Sequence, residues 1–581
     1  MKSLDEIKPL IRKAALLNAI KHHGRAETGA VIGRVLAERP DLKNLAKELA
    51  SACAQIVREI NNLPESEQMR IVEEEWPELL LEERPEKRKR LPPLPNTDRY
   101  RLIVTRFAPN PDCVLHLGST RAIVLCHEYA RMYNGKFVLR LEDTDPRLKR
   151  PRLEFYDLIA DDVLWLGCKW DEKVIQSDRM EIYYECAEKL LGMGGAYVCT
   201  CGLEDFRALV LASKACPDRE LQPSEHLARW EKMLSGAYTE KEALVRLKTD
   251  LHHPNPAVRD WPALRIIDTE KFPHPRVGSK YRVWPLYNMA CGVDDHMLGI
   301  SHIIRGKEHL TNEVRQRFMY EQLEWKYPET LHYGRLKVIG AELSKSKIMR
   351  LVEEKLVAGF DDPRLATLSA LRRRGITPEA LREVVMEIGP RPVDASLSWE
   401  NIYATNRKII DGKANRFFFL KDPIRLTIDG VDRDYTSTPP LHPDYPDRGR
   451  RRLEVKSSNG KAVVLVASDD ARALGNGKLI RLMELFNVSV SSVKEGEFQA
   501  RFISESYEDA RKRGAQLIQW LPSEGNIDVS LLMPTGASIK GIGESSLREA
   551  SVDAMVQLVR IGFARIDRKS PDRVEVIYAH N

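Results

Sequence analysis

The chain has 581 residues, of which 43% are hydrophobic, 7% aromatic and 30% charged, too apolar for wholesale disorder and sufficient for packed domains. Lys and Arg number 91 against 85 Asp and Glu, a net charge of +6, which permits a polyanionic partner without requiring one. No apolar run reaches the ~18 residues of a membrane-spanning helix, and the start MKSLDEIKPLIRKAALLNAI is too charged for a secretory signal; a soluble, cytoplasmic chain with no membrane association is expected. At about 150 residues per domain the length predicts roughly four units. All nine cysteines lie between Cys53 and Cys291, and an odd, mostly isolated set argues for a reducing compartment over a disulfide framework.

Taken in chain order, residues 1–97 read as a helical extension and linker. Leu4, Ile7 and Ile11 form one stripe, and Leu42, Leu45, Leu49, Cys53, Ile56 and Ile60 another. A Glu-rich stretch at 73–83 is followed by the basic run 84–90 and by Pro92, Pro93 and Pro95. From Tyr100 the pattern becomes β-α-β-α. A strand is expected at 102–104, a helix carrying Ala122, Ile123, Cys126, Tyr129 and Ala130, a strand at 136–141, and a helix carrying Phe155, Leu158, Ile159 and Val163. That order predicts a parallel sheet with a nucleotide-sized crevice at the carboxyl ends of its strands. It breaks at an irregular stretch, 197–281, and resumes at Val283 with a strand at 296–305, so an insertion splits a Rossmann-like domain into 98–196 and 282–349. Helices are expected over 350–414, with a basic patch at 372–374. Beyond 415, short β runs at 424–428, 462–466, 488–490 and 527–532, with a basic loop at 438–452, predict β-barrels to the end of the chain.

Two segments carry chemistry. RFAPNPDCVLHLGST, residues 106–120, lies between a strand and a helix. Ser119 or Thr120 can cap that helix, whose free N–H groups favour phosphate. His116 precedes the anion site as an uncharged donor, and Gly118 leaves room for a nucleotide to approach the backbone. Far along the chain, ELSKSK at 342–347 sets Lys345 between Ser344 and Ser346 in a loop, a mobile clamp for a triphosphate. Each string alone is weak; at opposite ends of one split sheet they reinforce each other. Separately, Cys199, Cys201 and Cys216 offer three soft ligands for zinc, with Asp218 or His226 as the fourth; the alternative is an unliganded remnant knuckle.

On these residues the chain resembles the class I aminoacyl-tRNA synthetases, whose two signatures match HLGS and LSKS. It is closer to the glutamyl-tRNA synthetases of archaeal and eukaryotic type, on LRLEDTD at 139–145, the 287–296 segment and RGKE at 305–308 as well. The resemblance implies a glutamate–tRNA ligase that uses ATP and Mg²⁺ to make glutamyl-adenylate and passes the acyl group to the 2′-hydroxyl of tRNA(Glu). The insertion would hold the acceptor end, the 350–414 helices the stem, and the β-rich end the anticodon. His116, Gly118 and Lys345 would be catalytic, and Ser119, Thr120, Ser344 and Ser346 would join them around ATP. Arg106, Ala108, Asn110, Glu142, Tyr287 and Arg305 would bind glutamate. Two positions depart from the pattern: Ser119 replaces the second histidine of the first signature, and Glu342 the first lysine of the second. Glutaminyl enzymes share the body plan but carry a neutral residue at the position of Arg305, because an arginine there would be a buried unpaired cation whenever glutamine bound. The alternative readings are a glutaminyl enzyme, a glutamyl enzyme that also charges tRNA(Gln), and a non-catalytic tRNA-binding protein; the last would have lost His116, Gly118, Glu142 or Lys345, and all four are present. The N-terminal helices are a candidate surface for a protein partner.

Overall fold

The computed structural model describes residues 7–21, 24–39, 41–42, 46–76, 91–494 and 497–581. The chain divides into two compact units, Met1–Arg90 and Leu91–Asn581. Leu4, Leu45 and the basic run 84–90 lie outside the described residues. Among the described residues no helix is long and apolar enough to cross a membrane.

The first unit is built from the helices Lys8–Lys21, Thr28–Glu38, Ala46–Asn61 and Glu65–Glu75. Ile11, Ala15, Val31, Val35, Leu49 and Cys53 meet in its core. The fully buried Gln68 ties the helix ends: its Nε2 donates to the carbonyls of Gly24, Ile60 and Leu63 at 3.0, 2.9 and 3.1 Å. Carbonyls at helix ends have no intrahelical donor, and one side-chain amide serves several here.

In the second unit Val104–Phe107, Lys136–Leu141 and Glu172–Ile175 form a parallel three-stranded sheet. Its four-residue first strand is buried throughout, as expected where helices cover both faces. The expected strand at 102–104 is displaced two residues toward Phe107, because Leu102 is exposed. The other half of the split domain supplies the parallel pair His302–Gly306 and Glu329–Tyr333. Ser301 joins the halves: its N–H donates to the Val104 carbonyl at 3.0 Å, and its hydroxyl accepts from the Val104 N–H at 2.8 Å.

Two expectations need correction. The stretch expected at 296–305 is not one strand, since His296 lies in the last turn of the helix Tyr287–Met297 and the strand begins at His302. The insertion is not irregular: Ala196–Cys199, Leu244–Leu247, Pro262–Ile266 and Val283–Pro285 form a four-stranded antiparallel sheet, so Val283 belongs to it and not to the parallel sheet. Trp230, Trp261 and Trp284 fill the core beneath that sheet.

The helices Leu368–Arg374, Pro378–Ile388 and Trp399–Ile410 follow, and then the chain becomes β. A seven-stranded sheet begins with Asn415–Phe417 and ends with Phe419–Lys421; these edges are consecutive in the chain, so the sheet curls back on itself. Between Lys421 and the strand Ile527–Leu532 that re-enters this sheet, an eight-stranded sheet is built from Pro423–Asp429, Lys461–Ala467, Asn487–Lys494 and their neighbours. The β-rich end is thus a curled sheet interrupted in sequence by a second sheet.

Three arginines of the two basic clusters, 372–374 and 450–452, are held inside the fold. Arg373 makes a two-pronged bond to Asp567, and the buried Arg374 donates to the Tyr403 hydroxyl and the Ala579 carbonyl. Arg451 is buried against Glu544, and Arg452 pairs with Glu454. Arg372 is exposed.

Candidate active site

A cavity of about 880 Å³ opens at the carboxyl ends of the parallel strands, lined by residues of both halves of the split domain and by Pro262, Arg265 and Pro285 from the insertion's sheet. Its two ends differ in construction.

At one end lies the His116 segment. It is pinned from outside the sheet, since the Leu117 N–H donates to the Ala366 carbonyl at 2.9 Å and the Leu368 N–H to the Leu115 carbonyl at 3.0 Å. The His116 side chain then caps the short 3-10 turn Leu117–Ser119, Nδ1 accepting from the Gly118 N–H at 3.1 Å. An acceptor at Nδ1 puts the proton of a neutral imidazole on Nε2. Burial, and secondarily Lys345, push this imidazole down to about 4, so at neutral pH it is an uncharged N–H donor. The expected caps are not used: Ser119 makes no side-chain capping bond, and the buried Thr120 hydroxyl donates to the Leu117 carbonyl. Thr120, Ser344 and Ser346 are not part of the cavity wall, whereas Ser119 is. A Cβ on Gly118 would first meet His116 itself, Cε1 at 2.9 Å and Nδ1 at 3.0 Å. The glycine makes room for the imidazole.

Lys345 opens the helix Lys345–Glu353 instead of sitting within a loop. Its Nζ donates to Asp112 Oδ1 at 2.7 Å and to the Asn110 carbonyl at 3.1 Å. Glu342, which departs from the family pattern, closes the turn before it: Oε1 accepts from the Ser344 N–H at 2.8 Å, and Oε2 lies 3.1 Å from Lys347 Nζ.

The other end is a buried network of charges. Arg106, from the first strand, makes a two-pronged bond to Asp295 at 3.0 and 3.2 Å. Arg140, fully buried on the second strand, shares Asp295 at 2.7 Å and donates to Glu142 Oε1 at 3.0 Å. Burial opposes the Asp295 charge, but the two guanidinium groups outweigh it and hold the carboxyl well below the usual range. For Glu142 the balance is reversed, with burial raising the carboxyl despite Arg140 and Arg106; it lines the cavity and would be stabilised by a further cation. Asp294 is satisfied elsewhere, by Arg179, Gln176 and Tyr183.

Arg305, on the strand His302–Gly306, is 5% exposed. It donates only to neutral groups, Nη1 to Gln316 Oε1 at 3.1 Å and Nη2 to the Tyr327 hydroxyl at 3.0 Å. Its Nε is buried without a partner. No carboxylate lies within ion-pair distance of it among the described residues. Tyr287 lines the same wall, its ring centroid 5.5 Å from that of His309, and Ala108 contributes to the floor. The Oδ1 atoms of Asn110 and Asn288 are buried and unpartnered, leaving acceptors for a ligand's N–H groups.

The structure therefore gathers His116, Gly118, Ser119, Lys345, Arg106, Ala108, Asn110, Glu142, Tyr287 and Arg305 around one cavity. Sequence reasoning missed Asp112, Arg140, Asp295 and Gln316. Asp112 had a signal, since it lies between the expected strand and the His116 motif; the other three come from a strand and two helices whose residues read as ordinary core or surface.

In the insertion Cys199, Cys201, Cys216 and Asp218 bring their ligand atoms within 4.8 Å of one another. Of the two candidates for a fourth ligand, the geometry selects Asp218, whose carboxylate joins the three sulfurs in that cluster, whereas His226 stands outside it with Nδ1 accepting from the Val198 N–H at 3.3 Å. Asp218 Oδ1 accepts from Arg229, and Oδ2 from Thr200. A hydrogen bond from Cys216 lowers the Cys199 thiol, while the same bond raises Cys216 and burial raises Cys201, so the three sulfurs share one readily formed thiolate. All nine cysteines are free.

Comparison with known proteins agrees with this geometry. A family model described as tRNA synthetases class I (E and Q), catalytic domain, matches residues 102–412, and one described as tRNA synthetases class I (E and Q), anti-codon binding domain, matches 414–506. A glutamate–tRNA ligase of Thermococcus kodakarensis is 50% identical over 99% of this chain and 100% of its own. That of Pyrococcus furiosus is 50% identical over the same shares, and that of Hyperthermus butylicus 44% identical over 97% of this chain and all of its own. With one family model spanning more than half of the chain and relatives aligned end to end, the chain belongs to the class I tRNA synthetases of the E and Q group, in the branch of the archaeal-type glutamyl enzymes.

Proposed function

We propose that this chain is a glutamate–tRNA ligase, and the observation that carries the reading is Arg305. A buried guanidinium with only neutral partners costs several kcal/mol unless a ligand brings the counter-charge, and the side-chain carboxylate of glutamate brings it. Glutamine would leave it unpaired, which disfavours the glutaminyl alternative. Glu142 accepts the α-ammonium, with the Asn110 acceptor and the Ala108 backbone beside it. Arg106, whose charge is already shared with Asp295, completes the pocket together with Tyr287.

In the first step a carboxylate oxygen of glutamate attacks the α-phosphorus of ATP, and the bond to the leaving pyrophosphate breaks. Charge accumulates on the phosphate oxygens, where His116 Nε2–H donates without bringing a charge and Lys345 brings one. Lys345 must exchange Asp112 for phosphate to do so. Mg²⁺ brought with the nucleotide would be held mainly by the phosphate oxygens and would neutralise triphosphate charge; Asp145 is paired with Arg265, and Asp112 becomes free once Lys345 turns to the phosphate. In the second step a ribose hydroxyl of the terminal tRNA adenosine attacks the acyl carbon and AMP leaves. No covalent enzyme intermediate is needed, so positioning and charge supply the catalysis.

The insertion receives the acceptor end, the helices after Leu368 contact the stem and the curled sheets read the anticodon. Cys199, Cys201, Cys216 and Asp218 would hold a structural zinc that fixes the insertion. Metal analysis of the purified protein before and after Cys216→Ser tests this: about one zinc per chain, lost in the variant, is expected for a four-ligand site.

The deciding experiment offers labelled glutamate and glutamine, each with tRNA(Glu) and tRNA(Gln). Glutamate is expected on tRNA(Glu), and transfer of glutamine alone would overturn the reading. The tRNA(Gln) arm decides whether the enzyme charges both.

A further inference from the structure

Gln316 is fully buried on the helix Leu310–Gln322, outside the segments that carry the family resemblance. Its Oε1 accepts from two donors at once, Arg305 Nη1 at 3.1 Å and the Tyr327 hydroxyl at 2.8 Å. The same hydroxyl accepts from Arg305 Nη2 at 3.0 Å. The three side chains close a small ring that fixes the guanidinium plane. Both partners are neutral, so the ring aims Arg305 without discharging it. Gln316 Nε2, by contrast, is buried with no partner.

The surrounding charges give this neutrality its meaning. Four guanidinium groups, Arg106, Arg140, Arg179 and Arg305, share the buried floor with three carboxylates, Glu142, Asp294 and Asp295. Glu313, one turn before Gln316, is taken by Arg317 and His332. Among these groups Arg305 is the one cation left without a carboxylate partner, and glutamate, with two carboxylates and one ammonium, carries a single net negative charge to meet it. Glutamine carries none. A carboxylate in place of the Gln316 amide would close the balance inside the protein.

We propose that Gln316 is a positioning residue for amino-acid specificity: together with Tyr327 it orients Arg305 while leaving its charge for the substrate side chain. The inference rests on the glutamate reading above. It extends the specificity determinant from the arginine to the neutral pair that holds it.

Gln316→Glu tests it, because the replacement is nearly isosteric and sacrifices no hydrogen bond at the unpartnered Nε2. Charging of tRNA(Glu) gives KM for glutamate and kcat, and glutamine as competitor gives its Ki. Losing the counter-charge interaction is expected to raise KM for glutamate about 100-fold, with kcat at saturation within about 5-fold and the glutamine Ki within about 3-fold of wild type. A packing role would weaken both amino acids alike. Equal weakening, or a KM within about 3-fold of wild type, overturns the proposal. Should Gln316→Glu fail to fold, Tyr327→Phe removes half of the ring without adding charge and is expected to raise KM for glutamate about 10-fold at unchanged kcat; an unchanged KM overturns it. Wild-type enzyme that did not charge glutamate would overturn the function itself, whereas wild-type charging with both variants unaffected would overturn only this inference.

Discussion

The two ends of the cavity hold their functional groups in opposite ways. At the amino-acid end Arg106, Arg140, Asp295 and Glu142 are partners of one another, buried and drawn from two strands and a helix far apart in the chain. At the nucleotide end His116 is held by a residue two positions away, and Lys345 by a partly exposed ion pair that catalysis must break. The difference follows from what each end receives. A small zwitterion is recognised by a rigid constellation whose charges are placed before it arrives. A triphosphate is gripped by groups that exchange partners as it binds.

The strongest way to break the comparison is at its rigid end. Asp295→Asn leaves Arg106 and Arg140 buried without their shared carboxylate. Removing one member of such a network costs about 3–5 kcal/mol, so a urea melt of the catalytic unit should shift by that amount. A shift below about 1 kcal/mol, the scale of an exposed pair, would mean that the network is not pre-organised.

Next in size is the opposite result at the other end. Lys345→Ala should lower kcat by about 10²–10³, the loss expected for one electrostatic stabiliser of the reacting phosphate. Its pair with Asp112 is only partly buried, with side chains 32% and 23% exposed, so stability should change by less than about 1 kcal/mol. A large loss of stability with an intact kcat would reverse the roles assigned to the two ends.

The nucleotide end was legible in the sequence. His116, Gly118 and Lys345 sit in short segments that carry recognisable strings, even though Lys345 meets its partners Asp112 and Asn110 across more than 230 positions. Arg305 and Glu142 were legible only through the family resemblance. Arg140 and Asp295 lie in segments that carry the resemblance, but their pairing was not legible, since 155 positions separate them and each reads as an ordinary residue of a strand or a helix. The arginines at 372–374 and 450–452 show the converse error. A run of like charge looks like a phosphate-binding face until the fold brings Asp567 and Glu544 against it. The insertion's sheet escaped because strands of three to five residues, separated by segments such as LHHPNPAVRDW, leave too few alternations to count.

A smaller perturbation sharpens the account of Gly118. In Gly118→Ala the new Cβ falls 2.9–3.0 Å from the His116 ring, and the imidazole must rotate off its bond to the Gly118 N–H. Displacing one donor by this much should cost about 1 to 1.5 kcal/mol, a roughly 10-fold fall in kcat/KM for ATP, with KM for glutamate unchanged. An equal effect on both substrates would place Gly118 in the amino-acid site.

The smallest expected effect is a flat line. His116 is pushed down to about 4 by burial and by Lys345, and Asp295 is held charged far below neutrality by Arg106 and Arg140. Neither group changes its charge between pH 8 and 5, so kcat/KM for ATP should show no break near 6.5, the ordinary histidine value. Stability behaves differently, because there the unfolded chain sets the reference. Below pH ~6.5 an unfolded His116 takes up a proton that the folded one refuses, so the unfolded state binds more protons and stability falls as pH drops from ~6.5 toward 4, by at most about 1.4 kcal/mol per pH unit from this residue. His116→Asn should flatten that part of the stability profile while lowering activity at every pH alike. An activity break near 6.5 in the wild type that disappears in His116→Asn would mean that the imidazole is charged when it meets the phosphate, and the contrast between an uncharged histidine and a charged lysine at the nucleotide end would be lost.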